Sequence, residues 1–417
     1  MTPSAASALV RLAGRSFVPL GLAAKLPLAM GQLGVLLLVA DRTGSYGTGG
    51  LAAAAIGIGS AVGAPVSGAL ADRWGQRGVL TVGAVAYAAG MLAVVAVTRS
   101  AAPTAVLLLV AAAAGLFAPQ IGPLARVRWV AIVRRAARHD RSRRLTEAFA
   151  VESATDEVSF VAGPALVGVL ASAAGPWLGP VVTAGLSLTA ALAFALHPTA
   201  ALVRPRHDAH PQAAAEVAGE PGPRPLRRGA IATLLAAGAM LGLVFGGTQV
   251  GVTSLSAEVG RPGAAGLVYA LLGVGSAVAG LASAGLPPAF RLADRLVAFA
   301  GALALLAAPL LLVGSVRWAA GAVLLLGCAV APYLIVLYAL VERSAPFERA
   351  ATVMTLLSSA VIVGYAAGSS GGGLLADAGG HRAAFAVPVA AGCAALVLAL
   401  AARGRLLRLG ATATREP

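Results

Sequence analysis

Lysine occurs once in this chain, at position 25, and cysteine only twice, at positions 328 and 393. Both cysteines lie inside apolar runs, where they behave as small hydrophobes, so neither a disulfide framework nor a metal site is supported. Charge is scarce too: 11% of the 417 residues, where a soluble domain carries about 25%. A chain so poor in charge cannot cover a folded core with polar surface in water. Histidine occurs five times, at 139, 197, 207, 210 and 381, in or beside polar connectors. No glycine loop for nucleotide phosphates, nucleophile elbow or cluster of metal ligands is legible. An enzyme is therefore not expected, and no cofactor or metal is called for.

What is present is apolar. Hydrophobic residues make up 59% of the chain, and mean hydropathy is +0.86. Twelve runs come close to the roughly 20 residues that a helix needs to cross hydrocarbon. They fall near 17–40, 50–71, 78–98, 103–125, 148–173, 178–197, 230–254, 264–286, 296–315, 319–341, 352–375 and 383–402. The first lacks a small-residue cleavage site and is read as an uncleaved first helix. Most connectors are short. One exception is the basic segment 126–144; the other is 197–229, where six prolines preclude a core and imply a flexible linker. The expected architecture is an all-α membrane protein: a six-helix bundle over 1–197, a linker over 198–229, a second bundle over 230–402 and a tail over 403–417.

Charge sets the orientation. With the amino terminus in the cytoplasm, 25 of the 31 basic residues fall in inside segments, and only Arg42, Arg99, Arg261, Arg317 and Arg382 fall outside. That asymmetry is a positive-inside pattern. It places both termini in the cytoplasm and assigns the net charge of +15 to topology rather than to a nucleic-acid partner. The segment RVRWVAIVRRAARHDRSRRL, from Arg126, is expected along the inner surface, with Trp129 at the interface and arginines meeting anionic lipid.

Between the second and third runs the chain reads GALADRWGQRGVL, from Gly68 to Leu80. Asp72, Arg73, Gly75 and Arg77 in this spacing resemble the loop between helices 2 and 3 of major facilitator superfamily transporters, a pattern close to G-x-L-A-D-R-x-G-R-[RK]-x-x-L. Gln76 stands here where the pattern has arginine. The resemblance implies twelve helices in two pseudo-symmetric six-helix bundles that rock about a site at mid-bilayer. It also implies that Asp72 latches the cytoplasmic side by meeting the start of helix 11 near residues 351–355. A carboxylate is favoured at a helix N-terminus by its unpaired N–H groups. Gly75 would permit the turn, and Gly68 the close packing.

The two halves echo each other. Gly57-Ile-Gly59-Ser-Ala-Val in the second run returns as Gly273-Val-Gly275-Ser-Ala-Val in the eighth. Ala162-Gly163-Pro164, followed by Gly168, in the fifth run is echoed by Ala367-Gly368-Ser369, followed by Gly373, in the eleventh. Both echoes pair helix n with helix n+6, as a parallel repeat would.

The fifth run opens with the densest chemistry: Glu147, Glu152, Asp156 and Glu157. Glu152 and Asp156 are four apart and share a helical face, whereas Glu157 points about 100° away. An unpaired charge at a helix centre costs about 2.5–3.5 kcal/mol on insertion scales. Lys25 lies about 12 Å into the first helix at 1.5 Å per residue. Helices 1 and 5 are neighbours in the superfamily fold, so at least one ion pair is expected. One reading makes Lys25, Arg126, Arg128 and the acids a structural brace; the other makes one carboxylate a proton carrier.

Gly163-Pro164 with Gly168 also resembles the Gly-Pro motif in helix 5 of the superfamily's antiporters, with one glycine missing. Candidate cavity residues are Gln32, Gln120, Gln249, Tyr333 and Tyr338. A lining otherwise of Ala, Leu, Val and Gly suits a lipophilic or amphipathic solute better than a sugar. The expected function is secondary active transport in the plasma membrane by a monomer, most simply proton-coupled efflux of drugs or hydrophobic metabolites. The alternatives are a facilitator or importer of small polar metabolites, and a non-transporting protein that uses the fold to bind partners.

Overall fold

The computed structural model describes residues 12–100, 102–136, 141–203, 228–283, 286–287, 289–344 and 347–411. These residues are helical almost throughout, because in hydrocarbon each backbone N–H and C=O must be satisfied within its own segment. The amino-terminal spans are α1 (Phe17–Thr43), α2 (Tyr46–Trp74), α3 (Gln76–Arg99), α4 (Thr104–Arg135), α5 (Glu147–Ala174, the spanning part of a helix that begins at Arg141) and α6 (Leu178–Leu196). The carboxy-terminal half supplies α7 (Arg228–Glu258), α8 (Ala264–Ser283), α9 (Leu292–Leu312) and α10 (Val316–Ser344). The last helix, Phe347–Ala411, runs 65 residues and turns at Gly379 and Gly380, whose φ of 68° takes it out of helical geometry. That break divides it into α11 (347–379) and α12 (380–411). Twelve crossings bring both ends of the described chain to one face, here the near face; the opposite one is the far face.

The helices approach closely through small residues, as they must where lipid removes the hydrophobic drive between them. Both echoes seen in the sequence are matched by equivalent contacts. A side chain at Gly59 of α2 would strike the Ala112 carbonyl of α4, and one at Gly275 of α8 would strike the Leu324 carbonyl of α10. Two residues earlier, Gly57 faces Gln32 and Ile362 of α11, while Gly273 faces Val161 of α5. In the second echo, Gly163 of α5 meets Ala29 of α1, and Gly368 of α11 meets Leu243 of α7. Gly168 then packs on Gly263 and Gly266 at the start of α8, as Gly373 packs on Tyr46 and Gly47 at the start of α2. Helix n and helix n+6 therefore occupy equivalent places, and α2–α11 and α5–α8 form two seams between the bundles.

The seams are tight in their far halves. Gly50 lies against the Ser369 backbone, and Gly263 against Ser172. Toward the near face no described atom comes within 4 Å of where a Gly68 side chain would begin. Asp72 is exposed at the end of α2, and beside it Trp74 keeps 66% of its surface.

Two expectations need correction. Helix 4 does not run unbroken over 103–125. It stops at Leu116, passes through the turn at 117–120, and resumes as Ile121–Ala136. The basic stretch up to Ala136 is thus the second half of α4 rather than a helix on the inner surface. Trp129 and Arg128 within it are both 0% exposed, packed against the ends of α1, α5 and α6. Most of the proline-rich linker, 204–227, lies outside the described residues.

Candidate functional site

The resumption of α4 at Ile121 leaves a cavity of about 160 Å³ between α1, the broken α4 and α5, lined by Lys25, Gln120, Arg126, Asp156, Ser159 and Phe160 among others. Lys25 sits at its wall, 7% exposed. Its Nζ lies 2.5 Å from Glu152 Oε1 and 2.7 Å from Asp156 Oδ1. It also donates to Thr155 Oγ1 at 2.7 Å and to the Glu152 carbonyl at 3.4 Å. Asp156 holds a second cation through Oδ2, 2.5 Å from Arg126 Nη2. The other oxygen of Glu152 accepts from Trp129 Nε1 at 3.1 Å. Two cations thus balance two carboxylates, and the Trp129 N–H occupies the second Glu152 oxygen, so the buried charges are paired, the condition under which they are tolerated. A side chain at Gly122, in the first turn of the resumed α4, would come within 3.2 Å of Asp156 Oδ1. Asp156 therefore also lies at a half-helix N-terminus, where the unpaired N–H groups favour negative charge.

Glu157 stands apart from this cluster. Four residues before Val161, it occupies the α5 face that carries Val161, Pro164 and Gly168 toward α8. It is partly buried, and among the described residues it has neither an ion pair nor a hydrogen bond. Pro164 lies within the continuous α5 and places its carbonyl against Gly266.

The loop after α2 turns at Gly75, with φ of 88°. Gln76 is buried, donates to the Leu124 carbonyl at 3.3 Å, and accepts from Arg128 Nε at 2.8 Å. Arg128 also donates to the Phe194 carbonyl at 2.7 Å, and its guanidinium lies 4.2 Å from the centre of the Phe194 ring. Close by, Arg77 donates to the Leu196 carbonyl at 3.1 Å, and Arg73 is exposed. His197 bridges Ser16 and Thr199 here, and burial together with the Arg128 charge lowers its pKa. The departure from the family pattern at position 76 thus has a partner. Arginine there would face the buried Arg128 guanidinium. Gln76→Arg is expected to destabilise the protein by about 3 kcal/mol, the usual cost of a buried charge left uncompensated. Thermal unfolding in detergent checks this, and adding Arg128→Gln should restore much of the loss.

The remaining candidates are dispersed. Gln120 donates to Ser60 Oγ at 3.3 Å and lies in the cavity wall. Gln32 lies beside Gly57 at the α2–α11 seam. Gln249 is buried and accepts a short hydrogen bond from Tyr365 of α11. Tyr333 is fully buried and donates to the Ala237 carbonyl at 3.2 Å, inside the second bundle. Tyr338 bonds Ser358 Oγ at 2.8 Å. The structure brings Lys25, Gln120, Arg126, Glu152 and Asp156 together, and leaves Gln249 and Tyr333 in the other bundle. The side chains of Ala351 and Thr355, expected opposite Asp72, lie outside the described residues. Trp129, expected at the membrane interface, is instead buried against Glu152. Thr155 and Tyr365 are additions from the structure, and for Thr155 the signal is present, three residues after Glu152 and one before Asp156.

A family model described as the Major Facilitator Superfamily matches residues 16–354. No curated protein sequence matches this chain. Among solved structures, the nucleoside transporter NupG is similar, with TM-score 0.70 and 14% identity over 94% of this chain and 99% of that one. A bacterial homologue of the iron transporter ferroportin, in an inward-facing state, has TM-score 0.69 and 17% identity over 94% and 99%. The peptide transporter POT in complex with sulfate has TM-score 0.68 and 15% identity over 94% and 95%. At such identities these likenesses concern the fold alone.

Proposed function

Because this chain belongs to the Major Facilitator Superfamily, we propose that it is a secondary active transporter working by alternating access, and that it exports lipophilic or amphipathic solutes in exchange for protons. The bias of basic residues toward the near face supports placing that face, with both termini, in the cytoplasm of a cell whose plasma membrane the protein spans. Export and proton coupling rest chiefly on one observation: Glu157 is an acid within a spanning helix, on the seam face, with no counter-ion among the described residues. Glu152 and Asp156 are paired with Lys25 and Arg126, so they brace the bundle. Glu157 lies at the seam that rocking would open and close, and can take a proton on one side and release it on the other. The contacts of Pro164 and Gly168 with α8 are consistent with the antiporter-like motif.

The test uses inside-out vesicles, an imposed pH gradient and a labelled lipophilic cation. Accumulation should collapse with an uncoupler and fall at least about tenfold in Glu157→Gln. Accumulation that ignores the uncoupler, or survives in that variant, removes the proposal. A second reading, entry of a small polar metabolite, draws on the charged wall of the cavity beside Lys25 and Arg126. Labelled nucleoside, dipeptide and sugar in the same vesicles separate it from the first.

A further inference from the structure

The loop between α11 and α12 repeats the loop between α2 and α3. Aligning 373–382 with 68–77 matches glycine at 373 and 68, leucine at 375 and 70, alanine at 376 and 71, and aspartate at 377 and 72. It also matches glycine at 380 and 75, and arginine at 382 and 77. The likeness extends to the backbone: Gly75 and Gly380 both have positive φ, at 88° and 68°. These loops are not equivalent under the helix n to n+6 relation, since one closes the near end of α2 and the other the far end of α11. What they share is their seam. There α2 and α11 run antiparallel, and each ends in Leu-Ala-Asp.

Asp377 crosses that seam. Its Oδ1 accepts from the Tyr46 backbone N–H at 2.7 Å, and its Oδ2 accepts from the Gly47 N–H at 2.9 Å and from Ser45 Oγ at 2.7 Å. Ser45 is itself the N-cap of α2, accepting from the Thr48 N–H at 3.0 Å. One carboxylate of the second bundle therefore seats on the first turn of a helix of the first, where the orphan N–H groups and the helix dipole both favour it. Glu258 makes a similar cap nearby, accepting from the His381 backbone N–H at 2.8 Å. That cap joins α7 to α12 within one bundle, so rocking leaves it intact. Asp377 is the cap that rocking must break.

We infer that Asp377 is the latch of the far face. It holds the seam shut there, and it must leave the α2 N-terminus for the far side to open. The inference rests on the alternating-access reading for its place in transport, but its geometry and its test need no solute. The register that sets Gly50 against Ser369 and Gly57 beside Ile362 also sets position 72 opposite position 347, the first residue of the α11 helix. The near and far latches are then two copies of one device at the two ends of a single antiparallel pair, engaged in turn.

The experiment measures the distance across the far face in the full-length chain. Spin labels go at Arg42→Cys and Trp318→Cys, one on each bundle, after Cys328→Ser and Cys393→Ser. Two variants perturb the latch. Asp377→Asn removes its charge, while Gly47→Ala adds a methyl 2.8 Å from Asp377 Oδ2 without touching the carboxylate. Both should raise the ratio of long to short distances by about tenfold, or about 1.4 kcal/mol, the low end of the worth of charge-assisted hydrogen bonds. A folded Asp377→Asn or Gly47→Ala with the wild-type distribution overturns the latch. If neither variant folds, the contact is holding the chain together rather than gating it, which also overturns it. A protein that moves no tested solute yet widens in both variants keeps the latch and loses the transporter reading.

Discussion

Lys25→Met is expected to lower the thermal stability of the protein more than any other single exchange in the first bundle. The side chain is 7% exposed and touches Glu152 and Asp156 at 2.5 and 2.7 Å. Methionine fills much the same volume, so packing is kept and the effect is electrostatic. Asp156 would retain Arg126, whereas Glu152 would be left with only the Trp129 N–H as a described partner. Removing one partner of a buried pair costs about 3–5 kcal/mol, against a total stability of about 5–15 kcal/mol for a typical domain. Lys25→Met should therefore unfold well below wild type in detergent. Lys25→Met with Glu152→Gln should recover most of the loss, because the stranded charge is gone; Glu152→Gln alone should be costly too. A Lys25→Met protein melting with wild type would mean that the cluster is solvated through the cavity and holds nothing together.

This cluster was the most legible part of the site, and the reason is register. Lys25 and the acids enter their helices from the same face at similar depth, so counting residues brings them level once helices 1 and 5 are neighbours. The fold was legible for a similar reason, since apolar runs of spanning length leave few architectures and the glycine echoes fix which helices correspond. Burial among the arginines was not legible. Between 126 and 144 the chain carries eight of them, a density that reads as a surface segment meeting lipid headgroups. Yet Arg128 is fully buried, because the Phe194 carbonyl and the Gln76 side-chain oxygen accept from its guanidinium. Those acceptors come from helix ends remote in sequence. The only local sign was Gln76 itself, a neutral acceptor where the family pattern has a cation. For Tyr333 the helix number gives no rotation of α10 about its axis, and its hydrogen bond to the Ala237 carbonyl depends on that rotation. Asp377 carries the same letters as Asp72, but its role depends on the α2 N-terminus that the fold brings against it from 330 residues away, which the letters alone do not give.

Gly50→Leu is expected to slow transport at least about tenfold while leaving the protein folded, in contrast to Gly59→Leu. Both glycines lie in α2, nine residues apart and on different faces. A side chain at Gly59 would drive into the Ala112 carbonyl of α4, inside one bundle, where neither helix can withdraw. Overpacking of that kind costs about 1–3 kcal/mol or more, so Gly59→Leu should lower the melting temperature. A side chain at Gly50 meets the Ser369 backbone of α11 instead, across the seam between bundles. Here the protein has an escape, since the bundles can part at the far face and lodge the leucine in the gap. The cost is then paid as a shift in the conformational equilibrium: each 1.4 kcal/mol is about a tenfold change in the ratio of states, so two such steps lower the ratio of closed to open far faces about a hundredfold. Gly50→Leu should therefore melt near wild type, show a widened far face in the same distance measurement, and transport at least about tenfold more slowly. If instead Gly50→Leu melts early with the far face unchanged, the α2–α11 seam is a fixed interface, and two bundles moving about it are excluded.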